Sequence, residues 1–161
     1  MKITVEKLKE LNACNSGIEY FGSKHSDGVE LTDLIREDIG TNNWTILEYA
    51  DWLMVHCMTC EQRTDYIIYV TELGLPKYKE KYPDNPRIHN CIQAIKDFRD
   101  GKIMKKELLD ITYAAVYVVN AAYTVADVVA DKNAMMIKIL QYGITLLEVK
   151  KNGSIRDETL M

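Results

Sequence analysis

KYKEKYPDNPR, running from Lys77 to Arg87, decides how the whole chain is read. Pro76, just before it, limits or kinks the preceding helix, because its ring removes one backbone donor and crowds the turn behind it. Pro83 and Pro86 frame a turn that holds Asp84 and Asn85, and Pro86 suits the opening turn of a new helix. Beyond that turn Ile88, Cys91, Ile92, Ile95 and Phe98 recur at helical spacing and form one apolar face, which stops at Gly101. The pattern is helix, proline-bounded turn, helix.

Working outward, the same punctuation repeats. Thr4 caps a stripe of Val5, Leu8 and Leu11, and Asn15 or Ser16 caps a short helix ending near Gly22. Ser23 to Gly28 reads as a polar loop, and Glu30 to Ile39 as a helix stopped by Gly40. Asn43 caps a stronger helix with Trp44, Leu47, Ala50, Leu53, Met54 and Cys57 along one side. The next helix starts near Cys60 and turns Ile67, Val70 and Leu73 inward; a last one spans Asn133 to Lys151. Nothing combines strand-length alternation with hairpin turns, so the expected fold is all-α, a single domain over residues 1–161.

The segment from Lys105 to Ala130 is expected to be the centre of this bundle. Its polar residues, among them Tyr113, Tyr117, Asn120, Thr124, Asp127 and Asp131, fall on one narrow stripe, and nearly everything else is Ala, Val, Leu or Ile. A helix apolar over most of its circumference needs neighbours on most sides. The remaining stripe, about 27 Å from Tyr113 to Asp131, is long enough for a modest protein interface, and tyrosine suits such surfaces.

Composition narrows the function classes. A net charge of −4 lacks the basic footprint of a nucleic-acid binder. The first residues, MKITVEKLKELNAC, contain no apolar signal region, and Ile111 to Ala130 carries Asn120, Thr124 and Asp127, so a cytoplasmic protein without a membrane span is expected. His56, Cys57 and Cys60 form HCMTC, whose Cys-x-x-Cys spacing suits zinc or redox chemistry. No second pair completes a zinc site and no strand precedes the motif, so a packing role is expected, with no metal and no cofactor. Asp51 and Asp65 read as surface acids or ion-pair partners. There is no nucleophile elbow, phosphate loop or HExxH, hence no assigned catalytic residue.

Several landmarks together resemble a family of small helical proteins encoded by bacteriophages and prophages, with similar pieces in toxin-immunity proteins. They are Ala13-Cys14 with Gly17 and Phe21, Asp51-Trp52-Leu53, Leu75-Pro76, Tyr82-Pro83-Asp84, Pro86-Arg87, Ala94-Ile95, and the alanine pairs Ala114-Ala115 and Ala121-Ala122. Where the family pattern often shows a second Pro-Arg-like or Lys-rich step, this chain has Ile88-His89-Asn90. The resemblance implies a mobile-element context and a binding role, and it carries no catalytic residues. The leading expectation is therefore a non-enzymatic protein of immunity or counter-defence type, meeting a protein partner through Tyr113, Tyr117, Asn120, Asp127 and Asp131. The rival is a small helical enzyme or ligand-binding protein built around an interhelical Asp/Tyr pocket.

Overall fold

Thr4 opens the first helix through its side chain: Oγ1 accepts the Lys7 N–H at 3.2 Å, and α1 runs Val5–Glu10. The computed structural model describes residues 1–81, 83–84, 86–104 and 132–149. After α1 come α2 (Asn15–Lys24), α3 (Leu31–Thr41), α4 (Trp44–Cys57), α5 (Cys60–Lys81), α6 (Arg87–Arg99) and α7 (Lys132–Glu148). Among the described residues the fold is all-α apart from one minimal antiparallel pair. β1 (Lys2–Ile3) lies beside β2 (Val29–Glu30), with Lys2 opposite Glu30 and Ile3 opposite Val29. Two residues per strand are too few for alternation to register in a sequence. Gly28 makes the pairing possible: its φ is +76°, and a Cβ there would meet the Ile3 carbonyl oxygen at 2.6 Å.

Several helix ends differ from expectation, each for a local reason. The helix begun at Asn15 continues past Gly22 to Lys24, into the segment read as loop. Gly40 sits inside α3; the left-handed residue that ends this helix is Asn42, with φ 49°. Pro76 does not end its helix, one of the two outcomes its sequence allowed: it lies inside α5, which continues to Lys81. The buried face of α5 carries Tyr66, Ile68 and Thr71, with Ile67 only half-buried; Thr71 is tolerated there because its hydroxyl donates to the Ile67 carbonyl at 2.7 Å. The Arg87–Arg99 helix ends as its sequence implies. Gly101 takes a φ of +71°, and Lys102 N–H reaches back to the Asp97 carbonyl at 2.7 Å. The expected central helix from Lys105 to Ala130, and the tail beyond Val149, lie outside the described residues.

The core gathers one stripe from each of several helices. Ile3, Ile35, Leu47, Met54 and Leu140 are fully buried, each contributing about 1.5–3 kcal/mol through the apolar surface it removes from water. On α7 the buried residues Met136, Ile139, Leu140, Gly143 and Ile144 keep strict helical spacing. Gly143 is where α7 comes closest to its neighbours. A Cβ there would lie 2.3 Å from Met54 Sδ and Cε and 3.0 Å from Tyr66 Cε2. Across the bundle α3 packs on α4, α7 packs on α3, α4 and α5, and α6 packs on α5. Lys96–Glu72 at 2.6 Å and Arg99–Asp65 at 3.1 Å fasten α6 to α5 at the surface.

Candidate functional site

Two pairs of helices leave a space between them. α1 packs on α2 and α3 packs on α4. At one end Ser16 Oγ lies 3.3 Å from Tyr49 Oη, linking α2 to α4. At the other, Lys24 Nζ and His25 Nε2 stand 3.7 and 3.5 Å from the Glu37 carboxylate, linking α2 and the residue after it to α3. Phe21 plugs into the core between these links. What remains is a cleft of about 350 Å³, within the size range of small-molecule sites.

Each wall follows from local sequence. The floor of the α1–α2 turn is a helix stop built on asparagine: Asn12 takes φ 58°, its N–H bonds the Lys9 carbonyl at 3.0 Å, and Ala13 N–H bonds the Leu8 carbonyl at 2.9 Å. That geometry sets Leu8, Asn12, Ala13 and Cys14 along one wall, followed by Gly17, Tyr20 and Phe21 of α2. The opposite walls are Leu34 and Asp38 of α3, and Ile46, Tyr49, Trp52 and Leu53 of α4. Four of the lining residues are aromatic. Among the described residues lining the cleft there is no Lys, Arg or His.

Asp38 is the anomaly. Leu31, Leu34, Ile35 and Asp38 form the buried face of α3, so helical geometry places a carboxyl where the pattern asks for an apolar residue. It is 6% exposed. Its backbone carbonyl accepts the Thr41 hydroxyl at 2.7 Å, but among the described residues no donor reaches its carboxyl. Burial pushes its pKa up to about 7; the Glu37 charge adds to the rise and Lys24 opposes it. Lys24 does not neutralise it directly, since its ammonium donates to Tyr20 Oη at 2.8 Å and lies over that ring at 4.6 Å. The cleft thus holds a carboxyl poised to keep or release its proton near neutrality.

Cys14 lies at the rim as the N-cap residue of α2. Its Sγ is 3.3 Å from Ser16 Oγ, and hydrogen bonds from the Ser16 hydroxyl and the Gly17 N–H, with a smaller one from Tyr49, hold its pKa below the ordinary thiol value. Gly17 leaves the sulfur room, since a Cβ there would stand 3.4 Å from it.

The residues expected to form the site fare differently. Tyr113, Tyr117, Asn120, Asp127 and Asp131 all lie outside the described residues. The Cys-x-x-Cys spacing is accounted for by the α4–α5 turn. Thr59 Oγ1 accepts the Gln62 N–H at 3.2 Å while Gln62 Oε1 accepts the Thr59 N–H at 2.9 Å, a reciprocal cap that opens α5 around Cys60. Gln62 Nε2 then donates to the Leu146 carbonyl at 2.7 Å, tying the turn to α7. Cys57 is half-buried, with its thiol pKa raised by that burial, and Cys60 is exposed; both are free thiols. His56 spends its Nδ1 on the Trp52 carbonyl at 2.7 Å, with its ring against Trp52 at 4.3 Å. Among the described residues no cluster of three or more His, Cys, Asp or Glu could hold a metal ion. Asp65 pairs with Arg99, and Asp51 accepts a hydrogen bond from the Tyr66 hydroxyl.

Sequence reasoning missed Asp38 as a functional candidate, although the signal was present: an acid four residues after Leu34 and seven after Leu31, on the apolar face of a helix. Ala13, Cys14, Gly17, Phe21, Trp52 and Leu53, named from sequence only as landmarks of a family resemblance and not as site residues, line the cleft. Among the described residues no helix is long and apolar enough to cross a membrane. No family model, curated protein or solved structure matches this chain.

Proposed function

We propose that this protein is a ligand-binding helical bundle, taking a small, largely apolar molecule with one hydrogen-bonding group into the cleft between α1–α2 and α3–α4. The observation that supports this reading is Asp38, only 6% exposed, its carboxyl set against a mostly apolar space with no donor from the described residues. A carboxyl held beside an apolar space with no donor from the described residues is a group that a ligand's hydrogen bond would stabilise. The class is the rival one named from sequence, an Asp/Tyr pocket between helices, at a place the sequence did not indicate. A protein interface along Tyr113 to Asp131 and a phage-encoded immunity role rest on the sequence reading alone.

The test is ligand-detected NMR with a set of single-ring aromatic fragments, followed by amide shift mapping. Shifts confined to Leu8–Phe21, Leu34–Asp38 and Ile46–Leu53, abolished when Ala13→Trp fills the cleft in a protein of unchanged circular dichroism, are the expected result. Fragments that bind equally well to the Ala13→Trp protein would place the site elsewhere.

A further inference from the structure

We infer that the molecule this cleft selects is an aryl-alkyl amine, bound as its cation with the Asp38 carboxylate as counter-ion; the inference rests on the cleft being a ligand site.

Three observations converge on a cation. The first is the sign of the lining. With Asp38 present and no Lys, Arg or His among the described lining residues, a carboxylate or phosphate would meet an acid and find no positive partner. The second is the aromatic content. Tyr20, Phe21, Tyr49 and Trp52 all line the same space, and an ammonium is attracted to aromatic rings, most strongly where water is excluded. The protein already uses that attraction nearby, since Lys24 Nζ sits 4.6 Å above the Tyr20 ring centre. The third is that Lys24, the one described cation acting on Asp38, is held by the Tyr20 hydroxyl at 2.8 Å and shared with Glu37 at 3.7 Å, leaving the counter-ion position unfilled.

The apolar residues fix the rest of the molecule. Leu8, Leu34, Ile46 and Leu53 would strip water from a hydrocarbon body, and about 350 Å³ has room for an aromatic ring with an alkylamine arm. Burying an ion pair is costly unless both charges are well partnered. Here the carboxylate would be partnered by the ammonium, and the ammonium by carboxylate and rings together. Binding would draw the Asp38 proton into solvent, the carboxyl passing from neutral to ionised as the cation arrives. The titratable groups around it are Cys14 and Tyr20 on the α2 side, Tyr49 on α4, and Glu37, Lys24 and His25 at the edge.

The experiment compares three probes of similar size, 2-phenylethylamine, 2-phenylethanol and 3-phenylpropionate, by NMR titration of the full chain at about pH 7. The side-chain carboxyl carbon of Asp38 is followed alongside the amides. The amine is expected to bind at least about tenfold tighter than the alcohol, with the acid weakest, and to move the Asp38 carboxyl carbon to its ionised position. In Asp38→Asn the amine should lose at least about tenfold while the alcohol stays within about threefold. An alcohol that binds as tightly as the amine overturns the amine assignment and leaves the cleft as a ligand site. Amine affinity unchanged in Asp38→Asn overturns Asp38 as the counter-ion. If none of the three probes shifts cleft amides, both the amine assignment and the ligand-site reading fall.

Discussion

Replacing Asp38 by asparagine should make this protein more stable, and more so the higher the pH. An aspartate whose folded pKa stands near 7, against 3.8 for the free side chain, holds a proton in the folded state that the unfolded chain has already released. Stability therefore falls as pH rises from about 4 through about 7 and levels off above, where the folded protein carries a buried charge the unfolded chain carries in water. The full displacement is worth on the order of 4 kcal/mol, of which about 2–3 kcal/mol falls between about pH 5 and about pH 8.5. Asparagine has the same shape and no proton to lose, so this slope disappears. Urea denaturation of both proteins at the two pH values isolates it, because every other titrating group is common to both. With a denaturant slope of about 2 kcal/mol per molar, the midpoint gap should widen by about 1 M at the higher pH, in favour of the variant. The neighbours give a second check on sign: Glu37→Gln should shallow the wild-type slope and Lys24→Gln should steepen it. Parallel pH curves for wild type and Asp38→Asn would refute the reasoning, since they would mean that Asp38 is as ionised in the fold as out of it.

Three further outcomes test other parts of the structure. Gly40 is helical and exposed, and a methyl group added there would meet nothing within 4 Å, so Gly40→Ala should raise stability by about 0.5–1 kcal/mol in thermal or urea unfolding. Gly143→Ala should do the reverse: overpacking against Met54 and Tyr66 costs about 1–3 kcal/mol and outweighs the roughly 1 kcal/mol gained in helix propensity, so a lower urea midpoint is expected. Cys14 should alkylate faster than Cys57 near neutral pH, because hydrogen bonds favour its thiolate while burial disfavours that of Cys57; Ser16→Ala should slow it about twofold to fivefold, read by mass spectrometry of iodoacetamide-labelled peptides.

Two helix starts were legible because they depend on single side chains; the cap expected at Asn15 or Ser16 was not, since α2 begins after Cys14 with no side-chain cap. Thr4 and Asn43 cap as their sequence neighbourhoods imply, Asn43 Oδ1 accepting the Ile46 N–H at 3.4 Å. Helix ends were less so. Gly22 and Gly40 looked like stops, but both stay helical: α2 runs on to Lys24 with His25 at φ −131°, and the left-handed residue ending α3 is Asn42. Pro76, which the sequence left as either a stop or a kink, does not stop α5: a lost donor and a crowded turn weaken a helix but do not end one that packs on both α6 and α7. The cleft itself was beyond a one-dimensional reading. It forms where four helices meet, and Asp38 betrays it only through a single polar interruption in the stripe of α3. HCMTC shows the opposite error, a chemically suggestive spacing whose geometry serves a capped turn between two helices.

The close approach at Gly143 also makes Met54 a recorder of the protein's own opening. Its thioether is fully enclosed, whereas the exposed Met1 and Met104 meet solvent directly. Peroxide reaches an enclosed sulfur only while α4 and α7 are parted, and the sulfoxide oxygen then added is polar and has no space where even a glycine hydrogen sits close. Each oxidation event would therefore be written once and not erased by closure. The ratio of sulfoxide at Met54 to sulfoxide at Met104 becomes a tally of past excursions from the closed state, readable in a single digest long after the protein has been exposed to the oxidant.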